Sequence, residues 1–85
     1  MNYRILIPNR TRKELDAISS PDLERVSERI SSLGANPRPP GCKKLKGEDK
    51  TWRVRVGKYR ILFQIDDAAK AVVIVGVGHR REIYR

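Results

Sequence analysis

The chain has 85 residues, the length of one small domain, with 39% apolar and 34% charged residues, a balance typical of a globular protein. Nineteen Lys and Arg against ten Asp and Glu give a net charge of +9, which favours an anionic partner. No apolar run approaches the ~20 residues that a membrane span needs. A multidomain enzyme and a membrane protein are therefore disfavoured.

Cysteine and histidine are each present once, as Cys42 and His79. One cysteine cannot form an internal disulfide, which disfavours a secreted disulfide scaffold and predicts a cytoplasmic protein. One cysteine and one histidine also fall short of the three or four ligands of a protein zinc site. We therefore expect chemistry without a metal or other cofactor.

The first half of the chain predicts one strand and two helices. Residues 2–7 form a short opening strand that Pro8 ends. Asn9 is the expected cap of the first helix, and Pro21 is expected at the first position of the second. The second helix has about thirteen residues and ends at Gly34. Its apolar stripe consists of Leu23, Val26, Ile30 and Leu33.

A proline-rich connector at residues 35–42 separates the helices from an alternating second half. Three strands are expected there, over residues 52–56, 59–65 and 70–77. The last is apolar almost throughout, which predicts a central position, and its glycines at 76 and 78 indicate a bulge or a close backbone approach. The whole predicts one α+β domain over residues 1–85, with an N-terminal strand, a two-helix hairpin and a three-stranded antiparallel meander, the helices on one face.

Positive charge is concentrated in residues 38–60, which hold nine basic and two acidic side chains. A solubilising surface would also be charged, but solubility alone favours mixed signs, so the cluster favours a polyanion partner. With Gly57 and Lys58 as a two-residue turn, Arg55 pairs with Arg60 and shares its face with Arg53. Directly opposed arginines repel, so this arrangement favours a bound anion such as a phosphate.

The segment from Gly78 to Tyr84 adds an imidazole, two guanidinium groups, a carboxylate and a phenol. Together with the face formed by Arg53, Arg55 and Arg60, which we call the arginine face, these groups suit cleavage of RNA by its own ribose 2′-OH. That reaction needs cationic stabilisation of the pentavalent transition state, a base and an acid. An imidazole can carry either proton near neutral pH, so His79 is a candidate for one of the two roles.

Four segments carry a recognisable pattern by their order and spacing: Lys44–Gly47, Trp52–Val56, Tyr59–Gln64 and Val77–Tyr84. In these segments the chain resembles the RelE/ParE superfamily, the toxins of bacterial and archaeal toxin–antitoxin pairs. The resemblance implies the same fold and, for the RelE-like branch, a ribosome-dependent endoribonuclease that cuts mRNA in the A site by 2′-OH attack. It also implies a cognate antitoxin, RelB-like or similar, through which alone operator DNA would be bound.

The resemblance assigns roles residue by residue. It implies that Arg60 and Arg80 stabilise the phosphate and that Tyr84 stacks on or orients a base. Arg55, which the hairpin register places opposite Arg60, is expected to act on the same phosphate. Many relatives have lysines where Arg53 and Arg55 stand, so the general base stays open between His79 and Glu82. The residues expected to bind RNA or the ribosome are Lys43, Lys44, Lys46, Arg53 and Arg81.

Two alternatives stay open. ParE-like members poison DNA gyrase and cut nothing, but they generally lack the combined set that Arg60, Arg80 and Tyr84 form here. A non-catalytic nucleic-acid-binding module would need only the charge, and it would tolerate Tyr84→Phe. The chain also ends at Arg85, so the C-terminal helix that some relatives carry is not expected.

Overall fold

The computed structural model describes residues 2–45, 47 and 50–79. Within them the predicted order of elements is confirmed, with one short strand added before the meander. The elements are β1 (Arg4–Leu6), α1 (Asn9–Asp16), α2 (Asp22–Ala35), β2 (Lys43–Lys44), β3 (Thr51–Val56), β4 (Tyr59–Asp66) and β5 (Ala71–His79). None of the helices in this part of the chain is long and apolar enough to cross a bilayer.

All five strands form one mixed sheet in the order β1-β5-β4-β3-β2. β3, β4 and β5 make the predicted antiparallel meander, and β5 lies inside the sheet between β4 and β1. β1 pairs in parallel with the start of β5, opposite Ala71 to Val73. At the other edge, β2 pairs with β3 only at Trp52 and Arg53. The first and last described strands are therefore neighbours.

The core lies between the two helices and one face of the sheet. α1 packs on β5, whereas α2 contacts β1, β5, β4 and β3. The core side chains below 5% exposure come from α2 (Val26, Ile30, Leu33) and from the meander (Val54, Ile61, Phe63, Ala71, Val72, Ile74, Val77). The other face of the sheet, which we call the open face, has no helix over it among the described elements.

Both helices begin one residue away from the predicted position. Pro8 is the cap residue of α1, without a side-chain hydrogen bond, and Asn9 is already helical. Pro21 is the cap residue of α2, which begins at Asp22. A proline can hold this position because the backbone N–H that it lacks would have no helical partner there.

Gly34 was expected to end α2, but it lies inside the helix, which continues to Ala35. Its carbonyl accepts a hydrogen bond from the amide of Tyr3 at 2.7 Å. A Cβ at this position would stand 3.0 Å from the Tyr3 carbonyl oxygen. The glycine therefore permits the close approach of the segment before β1 rather than terminating the helix.

β5 contains the bulge that its glycines indicated. Phe63 of β4 pairs with Ile74, but its neighbour Leu62 pairs with Gly76. Val75 is thus the extra residue that has no partner on β4. Such an insertion reverses the alternation of side chains between the two faces of the strand.

Two side chains of α1 hold the backbone of β5 on either side of this bulge. The hydroxyl of Thr11 donates to the carbonyl of Ile74 at 2.6 Å, and the carboxylate of Glu14 accepts from the amide of Val77 at 3.0 Å. Thr11 is 1% exposed, so its hydroxyl is fully removed from water. α1 therefore stabilises the irregular part of β5 through hydrogen bonds as well as through apolar packing.

Thr11→Val removes the hydroxyl and leaves the buried Ile74 carbonyl without this donor. We expect the free energy of unfolding to fall by about 1–2 kcal/mol, the order of a buried hydrogen bond. Urea titration followed by the fluorescence of Trp52, the single tryptophan, measures the change. Thr11→Ser keeps the hydroxyl and should lose less; a serine variant as unstable as the valine variant would assign the effect to the methyl group instead.

A polar cluster joins three distant segments at the end of the sheet opposite the Gly57 turn. Asp67 accepts hydrogen bonds from the hydroxyl of Tyr3 at 2.6 Å and from both terminal nitrogens of Arg38 at 2.9 and 3.3 Å. The Arg38 guanidinium also lies 5.6 Å from the ring centroid of Trp52. The hydrogen bonds from Arg38 and Tyr3 lower the pKa of the Asp67 carboxyl from 3.8 to about 2.

Because its folded-state pKa is depressed, Asp67 contributes stability above pH ~4 that is lost as pH falls towards 2. Asp67→Asn should therefore be less stable than the parent at neutral pH, and the difference should shrink between about pH 4 and pH 2. Urea titrations across this range measure it. Asp66→Asn, in the same turn, is the matched control, because Asp66 accepts the amide of Ala69 and has no cationic hydrogen-bond partner within the described part of the chain. An Asp67→Asn deficit that stays constant with pH would contradict the assignment.

Candidate nucleic-acid interface

The turn between β3 and β4 confirms the predicted register. Val56 pairs with Tyr59, and Arg55 lies directly opposite Arg60. Gly57 has φ +58°, whereas Lys58 has a negative φ, the combination that a type II′ turn requires. Val54, Ile61 and Phe63 are buried on the face of the sheet that packs against the helices, the helix side. Because side chains alternate between the two faces, Arg55 and Arg60 lie on the open face.

The opposed arginines belong to the closer kind of cross-strand pair. The carbonyl of Thr51 accepts a hydrogen bond at 2.8 Å from the amide of Leu45, which directly follows β2. Because backbone groups alternate in direction along a strand, those of Arg53 and Arg55 also point towards the β2 side, away from β4. Arg55 and Arg60 therefore form a non-hydrogen-bonded pair, in which the Cα atoms are about 4.5 Å apart. Arg55 is exposed and Arg60 is half-buried, and among the described residues neither Arg53 nor Arg55 has an ion-pair partner.

Lys43 and Lys44, which the sequence grouped together, lie on different faces. Lys43 pairs with Arg53 and joins the open face, whereas Lys44 pairs with Trp52. The ammonium of Lys44 lies 5.9 Å from the centroid of the Trp52 ring. The sequence did not indicate β2, and alternation along this strand separates the two lysines. Among the residues that the structure describes, the arginine face consists of Lys43, Arg53, Arg55 and Arg60.

His79 does not join the arginine face. It pairs with Tyr59, whereas Gly78 pairs with Arg60, so the imidazole lies on the helix side of the sheet. The rings of Tyr59 and His79 meet edge to face, with centroids 6.0 Å apart and an angle of 74°. His79 thus lies at the same end of the sheet as Arg60 but on the opposite face, because Val75 shifts the alternation of β5 by one residue. The other predicted site residues, Lys46, Arg80, Arg81, Glu82 and Tyr84, lie outside the described residues.

Two cations of α2 extend the basic surface and were not predicted from the sequence. Arg25 and Arg29 are four residues apart and therefore lie on one stripe of the helix. Together with β3 they border two adjoining grooves of about 430 and 320 Å³. We call both together the edge groove; it is lined by Arg25, Glu28, Arg29, Ser32, Gly41, Lys43, Arg53, Val54, Arg55 and Val56. The four-residue spacing of Arg25 and Arg29 indicates that they share one side of α2, but nothing local in the sequence indicates that α2 lies beside β3.

Comparisons with known proteins agree on one kind of relative. The sequence profile of the family described as "ParE toxin of type II toxin-antitoxin system, parDE" matches residues 5–84. Toxin RelG of Mycobacterium tuberculosis is 36% identical over 86 residues, which cover 100% of this chain and 99% of RelG. A chain in the crystal structure of the RelBE2 toxin–antitoxin complex from the same organism is 32% identical with a TM-score of 0.83, over 94% of this chain and 100% of that one.

A further likeness is to an archaeal structure. A chain of the RelE–RelB complex from Pyrococcus horikoshii OT3 superposes with a TM-score of 0.83 and 25% identity, over 96% of this chain and 99% of that chain. The profile match covers nearly the whole sequence, and the relatives are matched over nearly their full length. The chain therefore belongs to the ParE toxin family of type II toxin–antitoxin systems, within the RelE/ParE superfamily that its sequence resembles.

Proposed function

We propose that this toxin inhibits translation by cutting mRNA in the ribosomal A site, through attack of a ribose 2′-OH on the adjacent phosphodiester. The observation that carries the proposal is the Arg55–Arg60 pair on an open sheet face. Opposed like charges cost a few tenths of a kcal/mol or more in the free protein. A bound phosphate reverses the sign of that interaction, since each guanidinium donates two parallel hydrogen bonds to its oxygens.

The proposed step balances without a metal. A base removes the proton of the 2′-OH, the 2′-oxygen forms a bond to phosphorus, and the bond from phosphorus to the 5′-oxygen breaks as that oxygen receives a proton. The products are a 2′,3′-cyclic phosphate and a 5′-hydroxyl end. Arginine stays protonated, so Arg55 and Arg60 act on the charge of the pentavalent transition state and not as the base.

The remaining roles follow the family resemblance. Arg80 is proposed to act on the same phosphate, and Tyr84 to stack on or orient a base. Of the two candidate bases, His79 is turned away from the arginine face, which favours Glu82. Lys43 and Arg53 extend the positive surface on which the RNA backbone would lie.

We also propose that a cognate RelB-like antitoxin neutralises this toxin and alone contacts operator DNA. The relatives from Mycobacterium tuberculosis and Pyrococcus horikoshii are found in complexes with antitoxins. An acidic or amphipathic antitoxin segment would complement the arginine face, which has no carboxylate partner for Arg53 or Arg55 among the described residues. Such a segment would inhibit by occupying the place of the RNA.

Poisoning of DNA gyrase is the second candidate, because the profile that matches this chain is named for ParE. The two functions differ in the nucleic acid that breaks. We expect induced expression to stop translation and to produce mRNA ends that require ribosomes, which sequencing of 5′-hydroxyl ends maps. Intact mRNA together with accumulated gyrase–DNA breaks would establish the second candidate in place of the first.

Arg55→Ala and Arg60→Ala should each lower the rate constant of mRNA cleavage by about 10²–10³-fold, the loss seen when one donor to a developing oxyanion is removed. Single-turnover cleavage on programmed ribosomes measures it. Arg10→Ala, on the exposed surface of α1, removes the same charge and should leave the rate near that of the parent. If the first two variants are unfolded in urea titrations, or if they cut normally, these arginines do not have the proposed role.

A further inference from the structure

The edge of β3 is only partly covered by β2. Lys43 is the first residue of β2 and pairs with Arg53, so the backbone N–H and C=O of Arg55 extend past the end of the short strand. Gly41, with φ +90°, borders this opening and places no side chain in it. Among the described residues, the edge of β3 is thus uncovered where the arginine face meets α2.

Cations from three elements converge on this edge. Lys43 comes from β2, Arg53 and Arg55 from β3, and Arg25 and Arg29 from α2. Among the described residues that line the edge groove, Glu28 is the one acidic residue. The Nε of Arg29 is buried and has no hydrogen-bond acceptor within the described part of the chain. A buried donor without an acceptor is costly, and an anion in the groove would supply one.

We propose that the edge groove binds the phosphates of the RNA strand next to the phosphate on the arginine face, so that the RNA backbone passes around β3 onto α2. This rests on the proposed function, which it deepens by adding a second subsite. Arg53 and Arg55 line both surfaces, so the two are continuous. Proteins that hold single strands use such basic grooves to follow the backbone, with side chains and backbone N–H groups donating to phosphates.

The observations favour RNA over an acidic peptide in this groove. A peptide that adds a strand to a sheet needs a row of unpaired N–H and C=O groups. Beyond β2, alternation directs the backbone of a single β3 residue, Arg55, towards the open edge. An added peptide strand would therefore find only one N–H and one C=O of β3 to pair with. Guanidinium groups instead match the geometry of phosphate oxygens. Beside Arg29, the groove is lined by the guanidinium groups of Arg25, Arg53 and Arg55.

The test compares two double variants with the same loss of charge, Arg25→Ala/Arg29→Ala in the groove and Arg10→Ala/Arg12→Ala on α1. The probe is a single-stranded 2′-O-methyl RNA, which lacks the attacking hydroxyl and reports binding alone. Each phosphate contact contributes about 0.7 to the slope of log K against log salt. The groove variant should therefore lose about 1.4 from that slope, and the α1 variant much less. On ribosomes, the groove variant should raise KM and leave kcat near the parent value.

Single substitutions keep the proposal falsifiable if the groove double variant fails to fold. Arg25→Ala, whose side chain is 66% exposed, should lose about half of the slope change. Arg29→Lys keeps the charge but not the forked donors, and it should bind RNA more weakly than the parent. RNA affinity and salt slope equal to those of the α1 variant would overturn the proposal, as would a loss of antitoxin binding with RNA binding intact.

The groove and the nuclease function fail in different ways. If the parent protein cuts mRNA but the groove variant matches the α1 variant in KM and salt slope, the nuclease function stands and the groove proposal is wrong. If the parent cuts nothing but the groove variant still loses salt slope with the 2′-O-methyl RNA, the groove binds RNA and the cleavage proposal is wrong.

Discussion

The opposition of Arg55 and Arg60 across two neighbouring strands is the constraint that defines the candidate site. The two guanidinium groups cannot move apart through a change of register. A slip of one residue would turn the buried Val54 and Ile61 out to the open face and the arginines into the core. The free energy of burying the core therefore holds two guanidinium groups opposite each other on the open face, a position from which both can donate to one bound anion. The buried core and the arginine face thus use alternate residues of the same strands.

The carboxylates of the protein reinforce this division. Asp67 binds Arg38 and Tyr3 at the far end of the sheet, and Glu14 holds the backbone of β5 on the helix side. Asp66 accepts a backbone amide in the same turn as Asp67. Carboxylates with such local partners are not available to neutralise Arg53 or Arg55.

Local patterns predicted the meander well because its register depends on neighbours in the sequence. The Gly57 turn and the alternation of Trp52, Val54 and Val56 were sufficient to place Arg53, Arg55 and Arg60 on one face. The two short strands, β1 and β2, are different. The opening strand was predicted and is confirmed as β1, but its pairing with β5 was not predicted, and the two-residue β2 was not predicted at all. Both pairings depend on tertiary structure. For the same reason the separation of Lys43 from Lys44, and the position of α2 beside β3, could not be predicted.

The position of His79 on the helix side of the sheet is the most informative difference between the sequence-based expectation and the structure, because the sequence contained the signal for it. The glycines at 76 and 78 indicated a bulge, and a bulge shifts the alternation by one. If the alternation continued unbroken from Ile74, position 79 would lie on the arginine face; because the bulge adds Val75 as an unpaired residue, His79 pairs with Tyr59 on the helix side. Thr11 and Glu14 hold the two sides of that bulge. The two helices thus act on the site in different ways. α2 contributes cations at the edge of β3, and α1 stabilises the bulge that places the imidazole on the opposite side of the sheet from the arginine face.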